Sequence, residues 1–184
     1  SRPQQIAFII YLWYEIIESI SNSEHAWIKA IYHSNTDIFT VARNENPVEY
    51  KNQILENVVF GKTSLISTDQ GVRGFLHLTN DFCFTVAEKI GVRALFEGIE
   101  NNSISERVEA VEIRLLVAEI HKNEKLTSFI KKLCDQLAEF DWRTSSAPGL
   151  SDEQRRNQML FKGSSGYKEI RKQLIQKIMA SDDS

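Results

Sequence analysis

Apolar residues recur every three or four positions along most of this chain, and that spacing most constrains its fold. In the first segment they stand at Ile6, Ile9, Ile10, Trp13, Ile16, Ile17 and Ile20. Side chains three and four apart share one face of an α-helix, whereas a strand needs alternation. Pro3 suits the first turn, where its missing N–H costs nothing. Phe8, Leu12 and Tyr14 lie off the stripe, so more than one face of this helix is predicted to be buried, against neighbours or an upstream domain. The rhythm returns at Val72, Phe75, Leu76, Thr79, Phe82, Cys83, Val86 and Ile90, and Gly91 is placed to stop it. Shorter helices are predicted over 24–32 and 47–57, the second opened by Pro47. Others are predicted over 92–97, 104–121, 125–140, 152–160 and 167–179, with Asn102-Ser103 and Asn123-Glu124 as starts. Residues 33–46 read as loop, with one short extended piece at 38–41. There is no clean alternating pattern and no internal repeat. The expectation is a mainly α fold: a single-domain helical bundle of about seven or eight helices over 1–184, with short extended pieces at most.

A chain of 184 residues suits one domain, and three prolines and eight glycines leave little room for long linkers. The formal net charge of −3 excludes a chain that binds polyanions over its whole surface, but not one with a local basic patch. Cys83 and Cys134 lie far apart with no C-x-x-C, which argues against a disulfide framework or zinc site and fits a reducing compartment. The most apolar run, 6–17, is too short to span a bilayer and is interrupted by Glu15. No signal peptide is recognisable. The chain therefore reads as cytoplasmic, without membrane contact. It begins inside what reads as a helix N-terminus, so a C-terminal fragment of a longer protein is expected. His25, His33, His77 and His121 lack metal-ligand spacing, and no metal or cofactor is predicted. Cys83, Cys134 and the three tryptophans read as core or rim residues.

Three short motifs carry the candidate chemistry. Gly61-Lys62-Thr63-Ser64 ends like a phosphate-binding loop, but the first glycine of that loop would fall at position 56, which is Glu56. Ser67-Thr68-Asp69-Gln70-Gly71 reads as a helix start. Ser67 and Gln70 fit a capping box, with Thr68 or Asp69 as alternative caps. Gly71 and Gly74, one turn apart, leave room for another backbone or helix to approach. The third motif is the turn Gly163-Ser164-Ser165-Gly166 before a helix, flanked by Lys162, Lys168, Arg171 and Lys172. Such a turn can offer free amides to an anion, and phosphate contacts need mainly amides and positive charge. The plainer alternative is a Gly-Ser turn beside a solvated cationic face, and the residues alone favour it.

An aromatic-rich helix "IIYLWYEIIESI" with "HAWIKA", then "SLISTDQGVRGFLHLTND", then "FDW" and "FKGSSGYKEIRKQLI" stand in this order. Together they resemble the helical C-terminal part of bacterial DGQHR-domain proteins, a group that includes the regulator of DNA phosphorothioate modification and proteins of phage-defence loci. The resemblance spans roughly positions 3–178 and rests on spacing. The D-G-Q-H-R motif itself is absent, and in the family it belongs to an upstream α/β domain, so no catalytic residue carries over. The resemblance implies a non-catalytic accessory domain that packs on its own N-terminal domain or partner proteins and supports DNA binding or regulation. The expected contact residues are Lys162, Gly163, Ser164, Ser165, Gly166, Lys168, Arg171 and Lys172. The alternative is a protein–protein or homo-oligomerisation module without nucleic-acid contact, favoured by the broad apolar first helix. A third reading, an enzyme with Lys62, Asp69 and Arg73 at a phosphate site, predicts nucleotide-induced stabilisation, which is not expected.

Overall fold

A computed structural model describes residues 2–34, 41–90 and 109–182. Among these are eight α-helices and no sheet, as the apolar spacing predicts. They are α1 (Arg2–Asn22), α2 (Ala26–Ser34), α3 (Pro47–Ile54), α4 (Asp69–Ile90), α5 (Ala110–Lys122), α6 (Glu124–Ala138), α7 (Asp152–Met159) and α8 (Gly166–Asp182). The extended piece expected at 38–41, the helix over 92–97, its Gly91 stop and the start of the helix over 104–121 fall wholly or partly outside the described residues. No described helix is long and apolar enough to cross a membrane.

Side-chain caps set four of the eight described helix starts. Asn46 accepts from the Glu49 amide at 3.2 Å, with Pro47 behind it, and Asn123 accepts from the Leu126 amide at 3.1 Å. Ser151 and Gln154 form a reciprocal capping box. At α4 the cap is Thr68, whose hydroxyl accepts from the Gly71 amide at 3.1 Å and donates to the Leu65 carbonyl. The Ser67–Gln70 box does not form, because the Gln70 amide group reaches instead to the Gly163 carbonyl at 3.1 Å. The helix expected over 47–57 is α3 followed by a π-helical turn, Leu55–Val59. Gly61 follows that turn, where a Cβ would lie 2.1 Å from the Asn57 carbonyl oxygen. A helical turn therefore precedes the Gly61-Lys62 pair where a phosphate-binding loop needs a strand, and α4 begins only at Asp69.

The core is one cluster of buried apolar side chains drawn from α1 through α6, from α8 and from the connectors. α1 packs on α5 and α6, and α4 packs on α8. Ser19 donates to Asp135 at 2.7 Å and the Trp27 indole to the Ala138 carbonyl at 2.9 Å. The late half of α1 and the start of α2 thus lie against the late half of α6. α4 and α8 run in the same direction. Gln70 meets Gly163, Arg73 and His77 meet Tyr167, Gly74 meets Ile170, and Asp81 meets Arg171. The connector 139–151 crosses the linker before α4. The Leu65 amide donates to the Trp142 carbonyl, the Thr144 amide donates to the Thr63 carbonyl, and Ser64 and Arg143 form a single antiparallel bridge. Arg143 is buried, and Asp141 receives both its Nε and Nη2 hydrogens, at 2.9 and 2.7 Å, so the buried cation has its partner.

Candidate nucleic-acid interface

The turn between α7 and α8 is held from three sides. Buried Phe161 anchors its entry, and a Cβ at Gly166 would lie 2.0 Å from the Phe161 carbonyl oxygen. Gly163 has φ +81, a conformation glycine adopts freely, and its carbonyl accepts from both Gln70 and the Gly166 amide. α7 is tied to α8 by reciprocal amide bonds between Asn157 and Gln173 at 3.0 and 3.3 Å. Gln158 ties it to the Asp141 carbonyl at 3.1 Å. The turn is therefore preformed, which spares a ligand the ordering entropy.

Two of the turn's amides are engaged internally: Gly166 donates to Gly163 and Lys168 to Ser165. Among the described residues, the amides of Ser164, Ser165 and Tyr167 donate to no protein acceptor. They sit at the positive end of the α8 dipole, the usual place for an anion. Lys162 and Lys168 are exposed and in no ion pair within 4 Å among the described residues. Arg171 and Lys172 are differently placed. Arg171 donates to Asp81 at 2.6 Å, and Lys172 lies 3.6 Å from Glu169. Both cations are exposed, though Glu169 is half-buried, and such pairs are worth about 0–1 kcal/mol, so a phosphate could compete for these cations at small cost. The structure thus brings Lys162, Gly163, Ser164, Ser165, Gly166 and Lys168 to one corner and sets Arg171 and Lys172 further along α8.

Sequence reasoning missed the aromatic member of this corner. Tyr167 is half-buried, with Arg73 4.0 Å above its ring centroid and His77 stacked at 5.4 Å and 26°. The cation–π contact contributes about 0.5–1 kcal/mol at such a site. Its signal was an aromatic residue between Gly166 and Lys168. Its partners, though, come from about ninety positions earlier, and no local pattern reveals them. Along the seam Arg73, Arg171 and Lys172 pair with Asp69, Asp81 and Glu169, which leaves Lys162 and Lys168 as the surplus cations at this corner among the described residues.

The cysteines are poor nucleophiles. Burial pushes the Cys83 thiol up to about 11 and the Cys134 thiol higher still, so both are protonated at neutral pH. Among the described residues no cluster of three or more His, Cys, Asp or Glu could hold a metal ion. Lys62 and Asp69 are both exposed, and Asp69 pairs with Arg73 at 3.5 Å. In comparisons with known proteins, the chain matches no family model, no curated protein and no solved structure.

Proposed function

We propose that this chain is a non-catalytic helical binding module that engages the phosphate backbone of DNA through the α7–α8 turn. The observation that carries this reading is the meeting of three unengaged amides, Lys162 and Lys168 beside half-buried Tyr167 at one preformed corner. Amides and lysines suit phosphate oxygens, and the Tyr167 ring, with Arg73 and His77 packed on it, ties the turn to α4. The resemblance to DGQHR-domain proteins supplies a setting, a DNA-modification or phage-defence protein of which this is the accessory part. Binding should weaken linearly in log affinity against log salt. Lys162→Glu with Lys168→Glu should flatten that slope by roughly 2 and weaken binding about tenfold or more. Arg171→Gln, whose guanidinium already rests on Asp81, should change less. Fluorescence anisotropy with labelled DNA over a salt series measures both effects. An unchanged slope in the double variant, or no binding by the parent at roughly 100 μM, removes the assignment.

A second reading, self-association, is favoured by a separate observation. On α1, Ile9, Ile10 and Tyr14 remain 39%, 46% and 50% exposed, and on α5, Val111 and Leu115 are more exposed still. Exposed apolar surface of this kind favours a partner. Light scattering should then give a dimer mass that Ile10→Lys returns to the monomer. A monomer at roughly 100 μM, a concentration that would populate a micromolar dimer, excludes it.

A further inference from the structure

A cleft of about 900 Å³ opens where the end of α1, the turn 41–46 and the start of α3 meet. It lies apart from the α7–α8 corner and has no role in the reading above. Its volume is within the range of small-molecule sites, roughly 300–1,000 Å³. Ser21, in the last turn of α1, lines it. Ser21 is only 5% exposed, and its Oγ has no hydrogen-bond partner. A buried hydroxyl left unpaired costs about 1–3 kcal/mol, so a polar group from outside the chain would relieve it.

The charges on the wall point to what that group is. Lys51 pairs with Glu18, and Glu24 pairs with Lys29 at 2.9 Å. Arg43 is the wall cation not matched by a carboxylate at contact distance. Its Nη1 and Nη2 donate to the carbonyl and side-chain oxygens of Asn22 at 3.2 and 3.0 Å. Those bonds hold the guanidinium in place and use two of its five N–H groups. An oriented guanidinium with no carboxylate at contact distance matches a single carboxylate, which it can hold by two parallel hydrogen bonds. A phosphate dianion would carry more charge than the wall balances. Pro47, Val48 and half-buried Tyr50 add apolar surface to the cleft, with Val48 72% exposed.

We propose that this cleft binds a carboxylate with an apolar or aromatic body, its oxygens accepting from Arg43 and from the Ser21 hydroxyl. Such a group exists in two forms, a free organic acid and the C-terminal carboxylate of a peptide. The test is a titration followed by amide NMR shifts, with 3-phenylpropionate and a tripeptide ending in phenylalanine as probes. Their neutral amide counterparts serve as controls. Saturable shifts at Ser21, Asn22, Arg43 and Tyr50 with an acid, absent with its amide, are expected at millimolar concentrations or below. Saturation by the small acid alone identifies the free-acid source, and saturation by the tripeptide alone identifies a peptide terminus. Arg43→Gln should weaken binding roughly tenfold or more, the loss of a charge-assisted bond. Ser21→Ala should also weaken binding, yet leave the melting temperature of the free protein unchanged or higher. A lowered melting temperature in Ser21→Ala would mean that the hydroxyl serves the fold, which overturns its role here. No saturable shift with either acid, or equal shifts with the amides, overturns the site.

Discussion

Trp142→Ala should lose more stability than any other single truncation in this chain, about 3–5 kcal/mol. That is a large part of the 5–15 kcal/mol typical of a folded domain. Trp142 is the largest fully buried side chain. Its ring meets Phe140 edge-to-face at 4.9 Å, and its indole N–H donates to the Leu137 carbonyl at 2.8 Å. Its own carbonyl receives the Leu65 amide, so the same residue joins the end of α6 to the linker before α4. Truncation would leave a cavity where two connectors cross, and irregular backbone on both sides cannot collapse into it without losing its hydrogen bonds. Trp142→Phe is the informative companion. It keeps most of the ring volume, and the Leu137 carbonyl still has the Phe140 amide as a donor at 3.1 Å. Its cost should therefore be about 1–2 kcal/mol, one net hydrogen bond and a small void. Urea denaturation midpoints for the two variants give the ranking. A Trp142→Ala midpoint no lower than that of Trp142→Phe would mean that this crossing does not hold the fold together.

The helices were readable because burial repeats at the helical period, as at Leu126, Ile130, Leu133 and Leu137 along α6. Along α1 the buried face is Ala7, Tyr11, Leu12, Ile16 and Ile20, so the apolar stripe locates the helix but not its inner face, since Ile9 and Ile10 stay exposed. Caps that act within three residues, such as Asn123, were readable for the same reason. Features decided by distant partners were not. Ser67 and Gln70 have the spacing of a capping box, but Gln70 gains more from the Gly163 carbonyl, an acceptor ninety-three positions away. Tyr167 becomes part of a stack only because α4 lies alongside α8, and Arg171 reads as a free cation until Asp81 is placed beside it. The Ser21 cleft is a product of three segments meeting, and a serine near a helix end gives no sign of it. The basic turn at 163–166 was recognisable in composition, whereas which of its amides and cations remain unengaged is a tertiary fact.

The glycine pair Gly71 and Gly74 leaves room for a close approach, and the two positions separate two kinds of tightness. Replacing a helical glycine by alanine ordinarily stabilises by about 1 kcal/mol. At Gly71 the sign should reverse. A Cβ there would lie 1.9 Å from the Leu65 carbonyl oxygen and 2.7 Å from its carbon. Neither atom can retreat cheaply, because the Leu65 amide is bonded to Trp142 and its carbonyl receives the Thr68 amide and hydroxyl. Gly71→Ala should therefore cost about 1–3 kcal/mol or more, the range for forced overpacking. It should also loosen the Thr68 cap. At Gly74 the nearest atoms are the Ile170 Cγ2 at 2.7 Å and Cβ at 3.0 Å, which belong to a side chain. Ile170 can shift by a few tenths of an ångström, so Gly74→Ala should cost less than Gly71→Ala. Gly74→Ala combined with Ile170→Leu should recover part of the loss, because leucine lacks the Cγ2 methyl that the new Cβ crowds most. Thermal melts of the two single variants and the double variant decide it. If Gly71→Ala melts at or above the parent temperature, the Leu65 backbone yields freely, and the close approach of the linker to α4 is not what selects glycine there.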